Sequence, residues 1–429
     1  MAERLPASLR IYRQLAAAAR PLTPLLLGRR MRRGKENPDR IDERRGASGI
    51  ARPHGPLVWV HGASVGEMLA IIPLVERIRA RGFNVLVTSG TTTSADLALR
   101  RLPPGVIHQF VPLDIPRFVA RFLDHWRPGL ALMAEAELWP NMIMESAARS
   151  IPLILVNARL SERSYSRWRK APAAIAALLD RFDLCLAQSD HDADRYNELG
   201  APRVSMTGNL KLDVPAPPAD AGRLADIRDA VDGRPIVVAA STHPGEEATV
   251  IDAHDRLRDD FPGLLTILVP RHPERGPGIV NIAEIAGLSA VMRSRGYLPG
   301  RRTDIYIADT IGELGLIYRL APIVFMGGSL VRHGGQNPIE AAKLGTAILH
   351  GPHVWNFADI YSALDAARGA EVVTDAGRLA GRIGAWLADA HLRDAVAEAA
   401  LKTVEVLGGA LDRTLAAIDP YLMQLRLER

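Results

Sequence analysis

The chain is predicted to fold as two doubly wound α/β domains. At 429 residues it exceeds one ordinary domain. From Pro56 onward, short β-rich runs alternate with helical stretches, the pattern of parallel α/β layers. The alternation pauses in the proline-rich stretch Leu212–Asp220, which has the composition of a linker, and then restarts.

In the first half the candidate strands are Leu57–His61, Asn84–Thr88, Ile107–Pro112, Leu130–Ala134, Leu153–Val156, Leu184–Ala187 and Val204–Thr207. Between the first two, Met68, Ile71, Ile72, Val75 and Ile78 recur at helical spacing. The second half contributes Ile236–Ala239, Leu265–Val269, Ile305–Ala308, Ile323–Met326 and Ala347–Leu349, and from Arg378 the chain reads as helix. The expected divisions are a basic arm over 1–45, a first domain over 46–212, and a second domain with C-terminal helices over 213–429. In doubly wound sheets ligands bind beyond the carboxyl ends of the strands, so loops that follow strands are the places to search.

Composition narrows the function classes. With 48% apolar and 24% charged residues the chain is an ordinary globular protein. Its single cysteine, Cys185, excludes an internal disulfide and any cysteine-based zinc or iron–sulfur centre, and a reducing cytoplasmic setting is expected. The net charge of +5 is uneven: Arg4, Arg10, Arg13, Arg20, Arg29, Arg30, Arg32, Arg33 and Lys35 crowd the N-terminus against one acid, Glu3. The apolar stretch Leu15–Leu27 is broken by Arg20, Pro21 and Pro24, too interrupted for a spanning helix. A basic, partly apolar segment suits an anionic membrane surface. Nucleic acid is not expected, because Tyr12 is the segment's lone aromatic residue. Residues 1–33 are expected to be separable: their deletion should abolish membrane binding while leaving the chemistry of the remaining chain largely intact.

Three groups of loop residues carry chemistry. His61-Gly62-Ala63-Ser64-Val65-Gly66-Glu67 follows the first strand and opens a helix. Ser64 suits the cap, and Glu67 is either a first-turn acid favoured by the helix dipole or a general base. The same residues match Gly-x-Ser-x-Gly, so a serine hydrolase using Ser64 is an alternative. After the fourth strand, Glu135-Ala136-Glu137-Leu138-Trp139-Pro140-Asn141 places two carboxylates before a rigid turn, and Gly208-Asn209-Leu210-Lys211 sets a lysine just before the linker.

In the second half, Pro270-Arg271-His272-Pro273-Glu274-Arg275 offers two arginines and a histidine to an anion. Asp309-Thr310-Ile311-Gly312-Glu313 opens another helix. Gly327-Gly328-Ser329, followed by Gly335-Gln336-Asn337-Pro338-Ile339-Glu340, reads as a glycine loop and a capped helix start suited to phosphate, with Asn337 as cap, Pro338 first in the helix and Glu340 closing a capping box. Neither a P-loop nor a strand-linked dinucleotide fingerprint is present. Asp190, Asp192 and Asp194 resemble an acidic metal element, but Ser189 before them makes a helix's first turn the better account, and no metal is expected.

Together these motifs resemble the 3-deoxy-D-manno-octulosonic acid (Kdo) transferases of lipopolysaccharide synthesis, from Gly34-Lys35-Glu36 through Ser64-Val65-Gly66-Glu67, Glu135 to Asn141, Asn209-Leu210-Lys211 and Pro270 to Arg275, to Gly335 through Glu340. Gly62, Ala136 and Arg332-His333 depart from the family's usual residues. The resemblance implies a GT-B fold with a central cleft, an acceptor-binding first domain and a donor-binding second one. It implies an inverting, metal-independent transfer of Kdo from CMP-Kdo to a lipid A precursor (lipid IVA) at the cytoplasmic face of the bacterial inner membrane. It assigns Glu67 as base and Glu135 and Lys211 to transition-state stabilisation. It places the nucleotide on Pro270, Arg271, Ile311, Gly312, Glu313, Asn337, Pro338, Ile339 and Glu340, with Gly327, Gly328 and Ser329 as a further donor loop. A nucleotide-sugar epimerase of the same fold is the other alternative.

Overall fold

The computed structural model describes residues 5–427. It resolves into two compact units: the chain up to Val214 together with the segment from Gly408, and Pro215–Leu407. Each is built on a seven-stranded sheet. The first unit holds β1 Leu57–His61, β2 Asn84–Ser89, β3 Ile107–Phe110, β4 Leu130–Ala134, β5 Leu153–Ala158, β6 Leu184–Ala187 and β7 Val204–Met206, in the order β3-β2-β1-β4-β5-β6-β7. The second holds β8 Ile236–Thr242, β9 Leu265–Pro270, β10 Ala290–Met292, β11 Ile305–Ile307, β12 Ile323–Met326, β13 Ala347–His350 and β14 Ala370–Val372, in the order β10-β11-β9-β8-β12-β13-β14. Central strands such as β1, β4 and β9 are buried along their whole length, so they read as apolar runs rather than alternating ones. The strands β10 and β14, three residues each at opposite edges of the second sheet, carry no sequence signal.

In the first unit the two faces of the sheet have separate cores. Trp59 packs with Phe122 (ring centroids 4.9 Å apart) and Trp126 on one side, whereas Val58 and Val60 face Met68, Ile71 and Val75 on the other. The strand order reverses at β1 and β4, and in the second unit at β8 and β12, which makes these two places the switch points where a doubly wound sheet presents its ligand site.

Two expected boundaries are corrected. The last helix, Ala410–Leu427, belongs to the first unit: Leu415, Ile418, Leu422 and Leu425 are buried in the same core as Met68 and Ile71. Asp213 fastens its start, accepting from the Gly409 amide at 2.7 Å and the Leu411 amide at 2.5 Å. The basic N-terminus is not a free arm either. Helices Ala7–Ala18 and Thr23–Arg32 bury Leu9 and Leu27, and Leu9 joins the core of Trp59 and Phe122. Arg30 and the buried Arg44 both pair with buried Glu36, at 2.6 and 2.8 Å. Arg4, part of the basic segment, lies outside the described residues.

Candidate active site

The loop after β1 builds itself around Glu67. Ser64 is the N-cap of helix Val65–Ala80 and accepts from the Glu67 amide at 3.3 Å. In return the Ser64 hydroxyl donates to Glu67 Oε1 at 2.7 Å, so the acid is fixed by the residue that caps its helix. The Ala63 amide donates to Oε2, also at 2.7 Å. Burial raises the proton affinity of Glu67; the Ser64 hydrogen bond opposes that, and the charges of Glu137 and Glu135 raise it further. Ser64 therefore bonds a glutamate, and the only histidine of the loop, His61, turns Nδ1 to Thr88 instead. This is not the serine–histidine contact that a hydrolase needs.

Because β1 and β4 are neighbours, the acidic tryptophan loop lies at the same switch point. Glu135 directly follows β4 with a left-handed backbone (φ 56°), a conformation a non-glycine residue seldom adopts. Lys211 Nζ lies 2.5 Å from Glu135 Oε1. That lysine sits in the short turn Leu210–Leu212, whose amides are held by Asn209 Oδ1 (from Lys211, 3.0 Å) and Asn157 Oδ1 (from Leu210, 2.9 Å). Asn157 is fully buried and left-handed itself, and nothing in a strand-like run Leu-Ile-Leu-Val-Asn-Ala marks it beforehand. Glu137, the loop's second acid, has partners of its own. Its Oε2 lies 3.4 Å from His61 Nε2 and accepts from the indole N–H of Trp139. Burial pushes its acidity one way, but the facing histidine and the indole more than reverse it, so Glu137 is held below the usual carboxylate range.

In the second unit the glycine loop is corrected. The Gly327 amide is spent on Ala240 O at 2.8 Å. Those of Gly328, Ser329 and Leu330 all donate to Glu246, at 2.6, 2.9 and 2.9 Å, and the His243 amide completes the set at 2.9 Å. A fully buried carboxylate thus occupies the amides expected to meet a phosphate. Gly327 is required for packing: a Cβ there would lie 2.6 Å from Ser241 O and 2.7 Å from Thr242 Cα. Arg275 is likewise engaged, in a two-pronged contact with buried Glu247, whereas Arg271, following Pro270 at the end of β9, is exposed with no ion pair among the described residues.

A cavity of about 670 Å³ opens beyond β11, lined among others by Arg223, Arg293, Tyr297, Leu298, Ile311 and Glu313. Glu313 accepts from Arg293 at 2.7 Å and from Arg223 at 3.2 Å, and the Arg293 hydrogen bonds bring its pKa down to about 2. Ile311 is 87% exposed and Gly312 has φ 88°, so this loop offers an apolar side chain and open backbone to a ligand. Arg293, Tyr297 and Leu298 were not foreseen, since the short stretch that carries them has no periodic pattern. Arg271 and Asn337–Glu340 lie outside that lining. Asn337 does cap, its Oδ1 accepting from the Ile339 amide at 3.1 Å, but Pro338 stands at the cap position and the helix Ile339–Lys343 is a single turn. So short a helix has little dipole to offer a phosphate, and Glu340 sits in its first turn rather than closing a capping box. The turn is tied to β8 through Gln336, whose Nε2 lies 3.0 Å from His243 Nε2. Asp192, from the acidic run, is fully used in structure, accepting from the Leu160 amide and the Ser189 hydroxyl at 2.9 Å each.

Two doubly wound units, each on a seven-stranded sheet whose strand order reverses at its centre, define the class: this is the GT-B fold of nucleotide-sugar enzymes. It is shared with a glycosyltransferase from Rickettsia africae (TM-score 0.60, 12% identity, covering 86% of this chain and 99% of that one). The UDP-GlcNAc 2-epimerase of Neisseria meningitidis bound to UDP-GlcNAc has the same fold (TM-score 0.60, 11% identity, 86% and 100%). At such identities the likeness speaks for the fold alone, and sequence decides between transferase and epimerase. Residues 39–214 match the family model described as 3-Deoxy-D-manno-octulosonic-acid transferase (kdotransferase). The chain is 33% identical to the 3-deoxy-D-manno-octulosonic acid transferase of Haemophilus influenzae, over 96% of this chain and 98% of that protein. It is 35% identical to the Bordetella pertussis protein of the same name, over 96% and 99%. The chain belongs to the 3-deoxy-D-manno-octulosonic acid transferase family, and it is a glycosyltransferase of lipopolysaccharide biosynthesis.

Proposed function

We propose that the chain transfers Kdo from CMP-Kdo to a lipid A precursor such as lipid IVA, with inversion and without a metal ion, at the cytoplasmic face of the inner membrane. The observation that carries the mechanism is Glu67, a buried carboxylate with both oxygens fixed and its proton affinity raised by burial and by two neighbouring acids. A base so tuned takes the proton of the acceptor hydroxyl as that oxygen attacks the anomeric carbon. The new carbon–oxygen bond forms as the bond to the phosphate breaks, and CMP leaves from the opposite side. Direct displacement inverts the centre.

Glu135 and Lys211 act as one unit beside the base, a paired charge whose lysine stabilises negative charge as it develops. The first unit would bind the acceptor and the second the donor. There the cavity at Ile311–Glu313 is the candidate seat for the nucleoside, Arg271, without an ion pair among the described residues, the cation for its monophosphate, and Pro270 and Asn337–Glu340 further donor contacts. A monophosphate leaves with less charge than a diphosphate, and this is the physical case for dispensing with a divalent ion.

The N-terminal helices support the membrane reading. Ile11, Leu15, Leu22, Leu25 and Leu26 are exposed, and so are Arg10, Arg20, Arg29, Arg32, Arg33 and Lys35. Among the described residues no helix is long and apolar enough to cross a membrane, so the contact would be with the surface. Mass analysis of the product from CMP-Kdo and a lipid A precursor tests the proposal. Glu67→Gln should retain donor binding while turnover falls by at least about a hundredfold; near-normal turnover would remove Glu67 as base.

A further inference from the structure

The helix that follows the acidic tryptophan loop, Pro140–Ala147, has no side-chain cap of its own: Trp139 occupies the cap position without a side-chain hydrogen bond. The Trp139 indole is spent on Glu137, and the cap comes from elsewhere. Asp114, in the connection after β3, accepts from the Asn141 amide at 3.1 Å and the Met142 amide at 2.9 Å. Asn141 answers by donating its Nδ2 to Asp114 O at 2.7 Å. The same Asp114 Oδ2 also receives the Tyr12 hydroxyl, at 2.9 Å, from the N-terminal helix Ala7–Ala18. The next residue, Arg13, pairs with Glu145 on the same capped helix at 2.7 Å. Two adjacent N-terminal side chains therefore hold the helix start and the following turn.

That start determines the loop. Only Glu135 to Trp139 separate β4 from Pro140. With one end set in the sheet and the other by the Asp114 cap, five residues have little freedom to place the Glu135 and Glu137 carboxylates. A loop so short passes any shift of the helix start on to its side chains. Placement errors near 1 Å at a reacting centre are costly to rate.

We propose that Tyr12 and Asp114 are positioning residues of the transfer reaction, so that the N-terminal helix, besides facing the membrane, sets the geometry of the acidic loop. This rests on the reading that Glu67, Glu135 and Lys211 form the transfer site. The expectation that residues 1–33 can be removed without cost to catalysis is thereby reversed.

The test uses the full chain and Tyr12→Phe, which removes one hydroxyl from a partly exposed ring, with CMP-Kdo and detergent-dispersed lipid A precursor. The expected result is a kcat lowered about three- to tenfold, the order expected from losing one solvent-exposed hydrogen bond of ordinary strength. The KM for CMP-Kdo and sedimentation with anionic vesicles should be unchanged, and the Asn141 and Met142 amides should exchange hydrogen faster. A wild-type kcat with unaltered exchange overturns the proposal, and so does a loss of rate matched by an equal loss of vesicle binding. Asp114→Asn is the second variant. It should lower kcat at least as far as Tyr12→Phe, and a smaller effect also overturns the proposal. Glu67→Gln run alongside separates the two readings: if it transfers normally, the site itself is wrongly assigned, whatever Tyr12→Phe does.

Discussion

Glu246→Gln should destabilise the second unit by an amount that follows from the contacts of the carboxylate. The wild-type carboxylate is 0% exposed and accepts four backbone N–H groups, from His243, Gly328, Ser329 and Leu330, at 2.6–2.9 Å. Glutamine has the same outline, but only its carbonyl oxygen accepts; its NH₂ turns donors toward donors. Two of the four amides keep a partner and two are orphaned. Each orphaned buried amide costs about 1–3 kcal/mol, giving a loss of about 2–6 kcal/mol. Set against the ~5–15 kcal/mol of a typical domain, the second unit should still fold, but narrowly. At about 2–4 °C per kcal/mol for a unit of this size, the drop in Tm is on the order of 10 °C. Differential scanning calorimetry would read it, with exposed Glu274→Gln as a control expected to change stability by less than about 0.5 kcal/mol. CMP affinity, by titration calorimetry, should fall with it, because the same amides hold the loops after β8 and β12 together. A shift below about 2 °C would show that the carboxylate is not the clamp described here.

Other expectations follow from the same geometry. Glu67 must be ionised to act as base, so kcat/KM should fall as pH drops through its raised pKa; Glu137→Gln removes one of the charges that raise it and should move this acid limb to lower pH. An unmoved limb would mean that the two carboxylates are not electrostatically linked. Transfer should survive EDTA, and loss reversed by magnesium or manganese would refute the charge argument made for the monophosphate. Sedimentation with anionic vesicles should weaken with salt, since exposed charges are screened over about 10 Å at 0.1 M. A salt-insensitive remainder should come from Leu15, Leu22, Leu25 and Leu26 and not from Leu27, which is buried. Unchanged binding across the salt range would shift the weight from the arginines to the leucines.

The first-unit strands and the Glu67 loop were legible because each announces itself locally: a buried apolar run, then small residues, then Ser64 three positions before Glu67. What escaped depends on residues far apart in sequence. The last helix has the pattern of any amphipathic helix, and nothing in Leu415, Ile418 and Leu422 says which sheet they cover. The glycine loop escapes a local reading for a related reason. Gly327-Gly328-Ser329 has the composition of a phosphate cradle, but the anion it holds is the protein's own Glu246, more than 80 residues earlier in the chain. The basic segment has the charge of a tether, whereas Leu9, Tyr12, Arg13 and Leu27 make it part of the first unit through contacts that no local pattern encodes.

Which of three acids serves as base cannot be read from motif spacing, and the proposal of Glu67 leans on electrostatics. Glu135 is paired with Lys211 at 2.5 Å, so its charge is already met by a cation. Glu137 faces His61 and the Trp139 indole and is held below the usual carboxylate range. Glu67 is given no cation among the described residues; its hydrogen bonds come from a hydroxyl and a backbone amide. Burial and the two neighbouring negative charges therefore act on it with the least compensation, and its proton affinity goes up while that of Glu137 goes down. Environments that push neighbouring carboxylates apart in this way are how one site holds an ionised stabiliser and a proton acceptor together. The assignment has a sharp consequence. Lys211→Met would leave Glu135 without its cation and add an uncompensated charge near Glu67, so the acid limb of the pH profile should move to higher pH, opposite to Glu137→Gln. Two variants that moved the limb the same way would show that the proton being titrated does not sit on Glu67.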